Sequence, residues 1–166
     1  MRCPVDTEVA RWRATFLRWS GILDDVTRLR LEVSDVDDGV VEREIRNRLY
    51  EYNVSATGID DGAMLVVSVR DDRGGLVAGL YGWTWGESAF VDLLWVDEPL
   101  RGTGLGSRLL ATAEDEARSR GCTQVLLSTH DFQAPAFYAA RGYRETGRFP
   151  GYPTGHQQIH LAKQLA

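Results

Sequence analysis

The amino-acid sequence predicts an α/β (α+β) fold, with a central sheet flanked by helices. Segments rich in β-branched and aromatic residues interleave with segments whose apolar residues recur every three or four positions. Near the middle of the chain, an apolar strand leads directly into a glycine-rich turn and a long helical segment. At 166 residues, the chain has the length of one domain and can bury a substantial core.

Composition excludes several classes of protein. The apolar and charged fractions, 43% and 26%, are those of an ordinary globular protein. No apolar run approaches the roughly 18 residues of a membrane-spanning helix, and no segment resembles a signal peptide, so no membrane partner is expected. Cys3 and Cys122, the two cysteines, do not suggest a disulfide framework and fit a cytoplasmic location. A net charge of −5 argues against nucleic-acid binding.

The first 26 residues predict a helical extension in front of a main domain at residues 27–166. Val9, Trp12, Phe16 and Trp19 recur at helical spacing, and arginines populate the opposite face. Such an amphipathic helix most often packs on its own domain. A lid over a substrate cleft, a dimer contact and attachment to a membrane or partner are the alternatives.

The next segments predict a strand, a helix and a hairpin. Residues 27–33 alternate apolar and charged side chains, as a half-buried strand does. A turn rich in capping residues leads to a helix at residues 40–53. Residues 63–70 and 76–85 flank the sequence Asp-Asp-Arg-Gly-Gly, which is typical of a β-hairpin turn.

The central strand, residues 90–96, is followed by the turn Arg-Gly-Thr-Gly-Leu-Gly at residues 101–106 and by a helix that ends before Gly121. Alternate glycines let backbone N–H groups converge on one point, because no Cβ atom obstructs them. A helix N-terminus adds unpaired donors and a partial positive charge. These features predict that residues 101–106 hold a phosphate or pyrophosphate, and we name them the phosphate-binding turn for that prediction. A tight strand-to-helix connection without a ligand is the alternative.

The last part of the chain predicts three strands and a short helix. Residues 123–129 form an apolar strand, and residues 133–141 form a helix that carries Phe137 and Tyr138. Residues 143–149 and 157–161 form a final strand pair, joined by a loop rich in glycine and proline.

Two common phosphate-binding motifs do not fit the turn. A Walker loop would end in Gly-Lys-Ser/Thr, whereas this turn ends Gly106-Ser107-Arg108, and a Rossmann fingerprint needs glycine in place of Ser107. The turn resembles instead the acyl-CoA signature Arg/Gln-x-x-Gly-x-Gly/Ala of the GNAT superfamily of N-acetyltransferases. Arg101, Gly104 and Gly106 match that signature.

A second segment carries the same resemblance. Phe137-Tyr138, three further residues, then Gly142-Tyr143 is similar to the C-terminal pattern of the family. The order of predicted elements from residue 27 onward also matches the GNAT acyl-CoA N-acyltransferase fold. The resemblance implies a central mixed, mostly antiparallel sheet of six to seven strands, splayed open between residues 90–96 and 123–129.

The resemblance implies acetyl-CoA as co-substrate, an amine as acceptor and no metal. The pyrophosphate would lie on the turn, and the pantetheine would add to the edge of the central strand as a peptide does. A backbone amide near Leu94 would then stabilise the thioester oxyanion. Many members carry a CoA-contacting asparagine where this chain has Gln133. The implied cofactor-binding residues are Leu94, Val96, Arg101, Gly102, Thr103, Gly104, Leu105, Gly106 and Gln133.

Tyr138 is the implied general acid. The family commonly places a tyrosine at this position beside the CoA sulfur, where it protonates the departing thiolate. Packing of Phe137 and Tyr138 in the core is the other interpretation of the same residues.

The general base is left open. Asp92 shares one face of the predicted strand with Phe90, Leu94 and Val96. It is the candidate by proximity, although family members that carry a glutamate base have it where Phe90 stands. Burying an unpaired carboxylate in an apolar strand is costly, so its presence there needs an explanation. A role as the base would explain it, and so would a salt bridge with an arginine. His130, His156 and water relayed to Asp92 or Glu87 are the alternatives.

The predicted function is therefore acetyl-CoA-dependent N-acetylation of a primary amine by direct attack, with Tyr138 as acid. The alternative is a non-catalytic acyl-CoA-binding or protein-interaction domain of the same fold. The sequence does not identify the acceptor, and a homodimer stays open.

Overall fold

The computed structural model describes residues 29–36 and 38–165 of the chain. The chain divides into two compact units, Met1–Asn47 and Arg48–Ala166. The helix predicted in the first 26 residues and the domain boundary after it lie outside the described residues. Among the helices that the structure describes, none is long and apolar enough to cross a membrane.

The strand predicted at residues 27–33 is wrong over its described part. Residues 27 and 28 lie outside the described range, and residues 29–34 adopt no regular secondary structure. Leu29, Leu31 and Val33 are all exposed. Alternation specifies a strand where one face is buried, and here both sets of side chains face solvent.

Helix α1, Val40–Thr57, confirms the predicted helix and extends it by one turn. The Asp38 carboxylate caps its start, accepting a hydrogen bond of 2.9 Å from the Val40 N–H. Gly58 ends it in the left-handed conformation, with φ of 72°. The predicted end at Asn53 was too early, because the chain stays helical through Thr57 and leaves the helix only at Gly58.

The second unit is built on a six-stranded sheet of order β1-β2-β3-β4-β6-β5. The strands are β1 Ala63–Arg70, β2 Leu76–Trp85, β3 Ser88–Val96, β4 Gln124–His130, β5 Arg144–Pro150 and β6 Gln157–Gln164. All neighbours are antiparallel except β3 and β4, which run parallel. The predicted hairpin, final strand pair and mixed, mostly antiparallel sheet are confirmed.

Helix α2, Leu105–Ser119, makes the crossover between the two parallel strands. Its apolar stripe is buried against side chains from β1 to β4. The stripe consists of Leu109, Leu110, Ala113 and Ala117. Helix α3, Pro135–Ala139, is shorter than predicted. It begins at a proline, which is favoured in a first turn, and residues 133 and 134 belong to the preceding loop.

Strands β3 and β4 separate halfway along their length. Their pairing runs from Ser88 opposite Gln124 to Val91 opposite Leu127, and β3 continues for five more residues without a partner on that edge among the described strands. The predicted opening between these strands is confirmed.

A β-bulge lies at the same place in β3. Tyr81 of β2 pairs with Leu93 and Gly82 pairs with Val91, so that Asp92 is an extra residue without a partner on β2. Gly82 allows this close approach, because a Cβ atom there would lie 2.0 Å from the carbonyl oxygen of Phe90.

The bulge changes which side chains of β3 face the core. Ala89 and Val91 are buried before it, whereas Leu94 is half-buried and Val96 is buried beyond it. The inward face therefore switches from odd to even residue numbers. The prediction that Asp92 shares one face with Phe90, Leu94 and Val96 assumed an unbroken strand and is wrong.

A buried ionic cluster ties α2 to the end of the chain. The Glu114 carboxylate accepts hydrogen bonds from the Lys163 ammonium of β6 at 2.6 Å and from the Tyr143 hydroxyl at 3.0 Å. Burial, together with the charge of Glu114, raises the pKa of Tyr143 well above its ordinary value. The hydroxyl therefore stays protonated and remains a donor at physiological pH.

We expect Glu114→Ala to lower the free energy of unfolding by about 3 kcal/mol, because it leaves the Lys163 ammonium without its partner in a mostly buried site. Glu116→Ala is the matched control on the same helix. Its carboxylate pairs with Arg120 at the surface, so its loss should cost roughly 0.5 kcal/mol. Urea unfolding of both variants checks this, and equal losses would contradict it.

Gly82→Ala should reduce stability by about 3 kcal/mol or more, because the new methyl group would collide with the backbone of β3 at the bulge. The control is Gly79→Ala on the same strand, where the Cβ atom would lie 3.4 Å from the nearest atom, an ordinary contact. Thermal unfolding should separate the two variants clearly. Equal stability of Gly82→Ala and Gly79→Ala would contradict the close approach of Gly82 to the backbone of β3.

Candidate active site

The separation of β3 and β4 opens a cleft of about 750 Å³ in the second unit. Its walls are the outer half of β3, the phosphate-binding turn, the last residues of β4 and helix α3. The cleft therefore brings together the two segments that carry the sequence motifs, although about 30 residues separate them in the chain.

The phosphate-binding turn has the geometry of an anion site. Gly102 and Gly104 adopt the left-handed conformation, with φ of 77° and 88°, which other residues rarely adopt. Gly104 precedes α2, and no side chain caps that helix. The first N–H groups of α2 are thus left for another acceptor, beside the positive end of the helix dipole.

Arg101 fixes the turn to β3. Its Nε donates a hydrogen bond of 3.0 Å to the carbonyl oxygen of Val96. Its guanidinium also lies over the ring of Trp95, 4.8 Å from the ring centroid. The arginine of the motif is therefore engaged in holding the loop in place, which positions the glycine amides.

The predicted cofactor-binding residues divide into two groups. Those that line the cleft are Leu94, Val96, Arg101, Gly102, Gly104, Gly106 and Gln133. Thr103 and Leu105 belong to the turn, but their side chains point elsewhere. The Thr103 hydroxyl donates to the Leu100 carbonyl at 2.7 Å, and Leu105 packs against the core.

Gln133 has a defined role in the loop after β4. Its side-chain oxygen accepts hydrogen bonds from the His130 N–H at 2.8 Å and from the Thr129 hydroxyl at 3.1 Å. It therefore closes the loop that leads into α3, while lining the cleft.

Arg141 is a cleft residue that the sequence analysis did not assign. One of its guanidinium nitrogens donates to the Ser107 hydroxyl at the start of α2, and the other donates to the Phe137 carbonyl at 2.5 Å. The guanidinium also lies 3.7 Å from the centroid of the Phe137 ring. Its place one residue before Gly142 in the second motif was the available signal.

Tyr138 is both a core residue and a cleft residue, so the two interpretations of its position are compatible. It is 8% exposed, and its ring packs edge-on against Phe137 and Tyr143. Its hydroxyl makes no hydrogen bond to another described residue, and the side chain lines the cleft. Burial raises the pKa of Tyr138, so the phenol keeps its proton at physiological pH.

Asp92 lines the same cleft, but its environment differs from the expected one. The residue is exposed, because the bulge turns it out of the core. An exposed carboxylate carries little desolvation cost, so the salt bridge that its burial would have required is unnecessary.

The other candidate bases, His130, His156 and Glu87, are not among the residues that line the cleft. His156 Nδ1 is 3.0 Å from the Asp131 carboxylate, and the His130 ring stacks on Phe132, which lines the cleft. Glu87 lies in the turn before β3, away from the residues that form the cleft walls.

This arrangement suits a phosphate-bearing ligand with an extended, partly apolar arm. An anion can bind the uncapped start of α2. An extended chain can pair with the free edge of β3. A neutral phenol lies in the cleft beyond that edge.

Comparison with known proteins agrees with this geometry. Residues 28–143 match the model of the Acetyltransferase (GNAT) family. A blasticidin-S acetyltransferase from Streptomyces morookaense is 49% identical over 98 residues, covering 57% of this chain and 70% of the relative. An acetyltransferase from Agrobacterium fabrum is 35% identical over 133 residues, covering 80% of this chain and 97% of the relative.

A solved structure agrees as well. The crystal structure of an acetyltransferase from Bacillus cereus superposes with a TM-score of 0.67 at 32% identity, covering 81% of this chain and 98% of that one. The family match, the sequence relatives and the shared fold all indicate the same family of acetyltransferases. The chain belongs to the GNAT family of N-acetyltransferases.

Proposed function

We propose that this protein transfers the acetyl group of acetyl-CoA to a primary amine by direct attack, with Tyr138 as general acid. Acetyl-CoA is the co-substrate of the family. The observation that carries the proposal is the cleft itself, which is lined by both Gly104 at the uncapped start of α2 and Tyr138.

The pyrophosphate of acetyl-CoA binds the backbone amides of the phosphate-binding turn and the first turn of α2. The left-handed glycines keep these amides free of side chains, and the helix dipole favours the negative charge. Arg141 adds a cation at the same helix start, where it already contacts Ser107. Together they supply charge-assisted hydrogen bonds to the phosphates.

The pantetheine arm lies along β3 beyond Val91, where the strand has lost β4 as a neighbour. Its amides pair with the free edge as an added strand does. The N–H of Leu94, or of an adjacent residue, then points at the thioester oxygen. One such donor stabilises a developing oxyanion by roughly 3 kcal/mol.

The amine nitrogen attacks the thioester carbon and forms a tetrahedral intermediate. As the carbon–sulfur bond breaks, the Tyr138 hydroxyl donates its proton to the sulfur, which leaves as the thiol of CoA. The ammonium proton passes to Asp92, directly or through water, because that exposed carboxylate lines the same cleft. An acid and a base positioned in this way typically contribute about 10²- to 10⁴-fold each.

The acceptor is tested with a panel of primary amines that includes polyamines, aminoglycosides, lysine peptides and blasticidin S. The last compound enters the panel because a relative is named for its acetylation. Acetyl-CoA-dependent release of free thiol identifies the acceptors that are used.

Tyr138→Phe should lower kcat by about 10²-fold while leaving the KM for acetyl-CoA within a factor of two, because it removes one proton donor. Since burial raises the pKa of Tyr138, the alkaline fall of kcat in the native enzyme should lie above pH ~10, the ordinary value for tyrosine. That limb should be absent from the variant. Tyr81→Phe is the control, at an exposed tyrosine that does not line the cleft. An unchanged kcat and pH profile would show that Tyr138 is not the acid.

Gly104→Val should weaken acetyl-CoA binding by roughly tenfold or more, because valine cannot keep the left-handed backbone that aims the amides at the phosphates. Gly74→Val is the matched control. Gly74 has φ of 84°, like the 88° of Gly104, and a Cβ atom at either position would meet nothing within 4 Å. Both variants therefore carry similar backbone strain, but only Gly104 lines the cleft. Calorimetric titration with acetyl-CoA that gave equal affinities for the two variants would exclude the turn as the phosphate site.

A further inference from the structure

The two faces of β4 present different side chains to the cleft. Val125, Leu127 and Thr129 are buried, and Val125 and Leu127 belong to the same core cluster as Tyr138. Because side chains alternate along a strand, Ser128 and His130 lie on the opposite face. The cleft therefore continues past β4 onto a face that the proposed binding of acetyl-CoA does not use.

Four rings gather on that face, and we call them the ring cluster: His130, Phe132, Tyr152 and His156. The His130 ring stacks on Phe132 at 5.1 Å between centroids, and Tyr152 lies tilted against His130 at 5.4 Å. His156 meets Phe132 edge-on at 4.9 Å. The cluster joins the loop after β4 to the loop between β5 and β6.

The ring cluster is exposed, although its rings contact one another and two of them have polar partners. Phe132 and Tyr152 are 55% and 58% exposed. The Asp131 carboxylate holds His156 in place through Nδ1, at 3.0 Å, and the Gln133 oxygen lies 3.4 Å from His130 Nδ1. Phe132 lines the cleft together with Ser128. Fixed, half-exposed rings at the edge of a cleft favour a flat partner, because aromatic groups stack with a definite geometry.

We propose that the acceptor amine carries a planar aromatic or heteroaromatic ring, which stacks on the ring cluster while the amino group reaches the thioester. The proposal rests on the proposed function and adds the class of acceptor. Asp92, an exposed carboxylate in the same cleft, attracts the ammonium group of such a molecule. The acyl-CoA occupies the side of α2 and Tyr138, so the two substrates meet from opposite faces of β4.

The test compares two amines of the same chain length, 2-phenylethylamine and 2-cyclohexylethylamine, which differ in the planarity of the ring. Each is titrated calorimetrically into the full chain saturated with CoA. The planar amine should bind roughly fivefold more tightly, the preference that one aromatic contact provides. Phe132→Leu should abolish the preference, because leucine keeps the apolar character and loses the flat ring. Tyr152→Leu should reduce it.

Phe149→Leu is the matched control, because Phe149 is a similarly exposed phenylalanine on β5 that does not line the cleft. This variant should keep the preference. Equal affinities for the two amines in the native chain, absent binding of 2-phenylethylamine, or a preference that survives Phe132→Leu would each overturn the inference. So would a loss of acetyl-CoA affinity in Phe132→Leu, since the ring would then belong to the co-substrate site.

A separate titration of the native chain with acetyl-CoA distinguishes the two proposals. If acetyl-CoA binds and the ring preference is absent, the acceptor class is wrong and the acetyltransferase function stands. If acetyl-CoA does not bind, the proposed function itself fails.

Discussion

The site depends on the place where β3 leaves β4. Pairing between the strands stops at Val91, and the bulge at Asp92 follows immediately. The first feature frees a strand edge that can pair with an extended ligand, and the second turns a carboxylate out of the core into the same opening. The bulge needs Gly82, because any side chain there would collide with the backbone of β3. A single close approach between β2 and β3 therefore supplies the cleft with one of its charged groups.

Helix α2 connects this opening to the rest of the core. Its start carries the uncapped amides, while its middle is fixed by the Glu114, Tyr143 and Lys163 cluster. Arg101 and Arg141 hold the turn and the helix start from two sides. The amides are thus held in place before a ligand arrives, which lowers the ordering cost of binding. The same helix therefore packs in the core through its middle and presents the site's amides at its start.

Local sequence signals predicted most of the fold, and contacts between distant residues account for the differences. The turn at residues 101–106, the helix after it and the hairpin each follow from short-range patterns, which the structure confirms. The bulge could not be read from β3 alone, because it arises from a glycine on the neighbouring strand. The contact between Arg141 and Ser107 joins positions 34 residues apart. The predicted strand at residues 27–33 shows that a local pattern can also predict too much. Its apolar and charged residues alternate, but no neighbouring element among the described residues buries one face of the segment.

Hydrogen–deuterium exchange of the full chain, with and without acetyl-CoA, tests the central claim most directly, because it reports on the backbone amides themselves. We expect acetyl-CoA to slow exchange at residues 92–96, on the free edge of β3, and at residues 102–107, in the turn and the first turn of α2. Residues 144–150 of β5 form an outer strand away from the cleft and should exchange as before. Protection confined to other segments, or binding without protection of either predicted segment, would contradict the assignment of this opening as the acyl-CoA site.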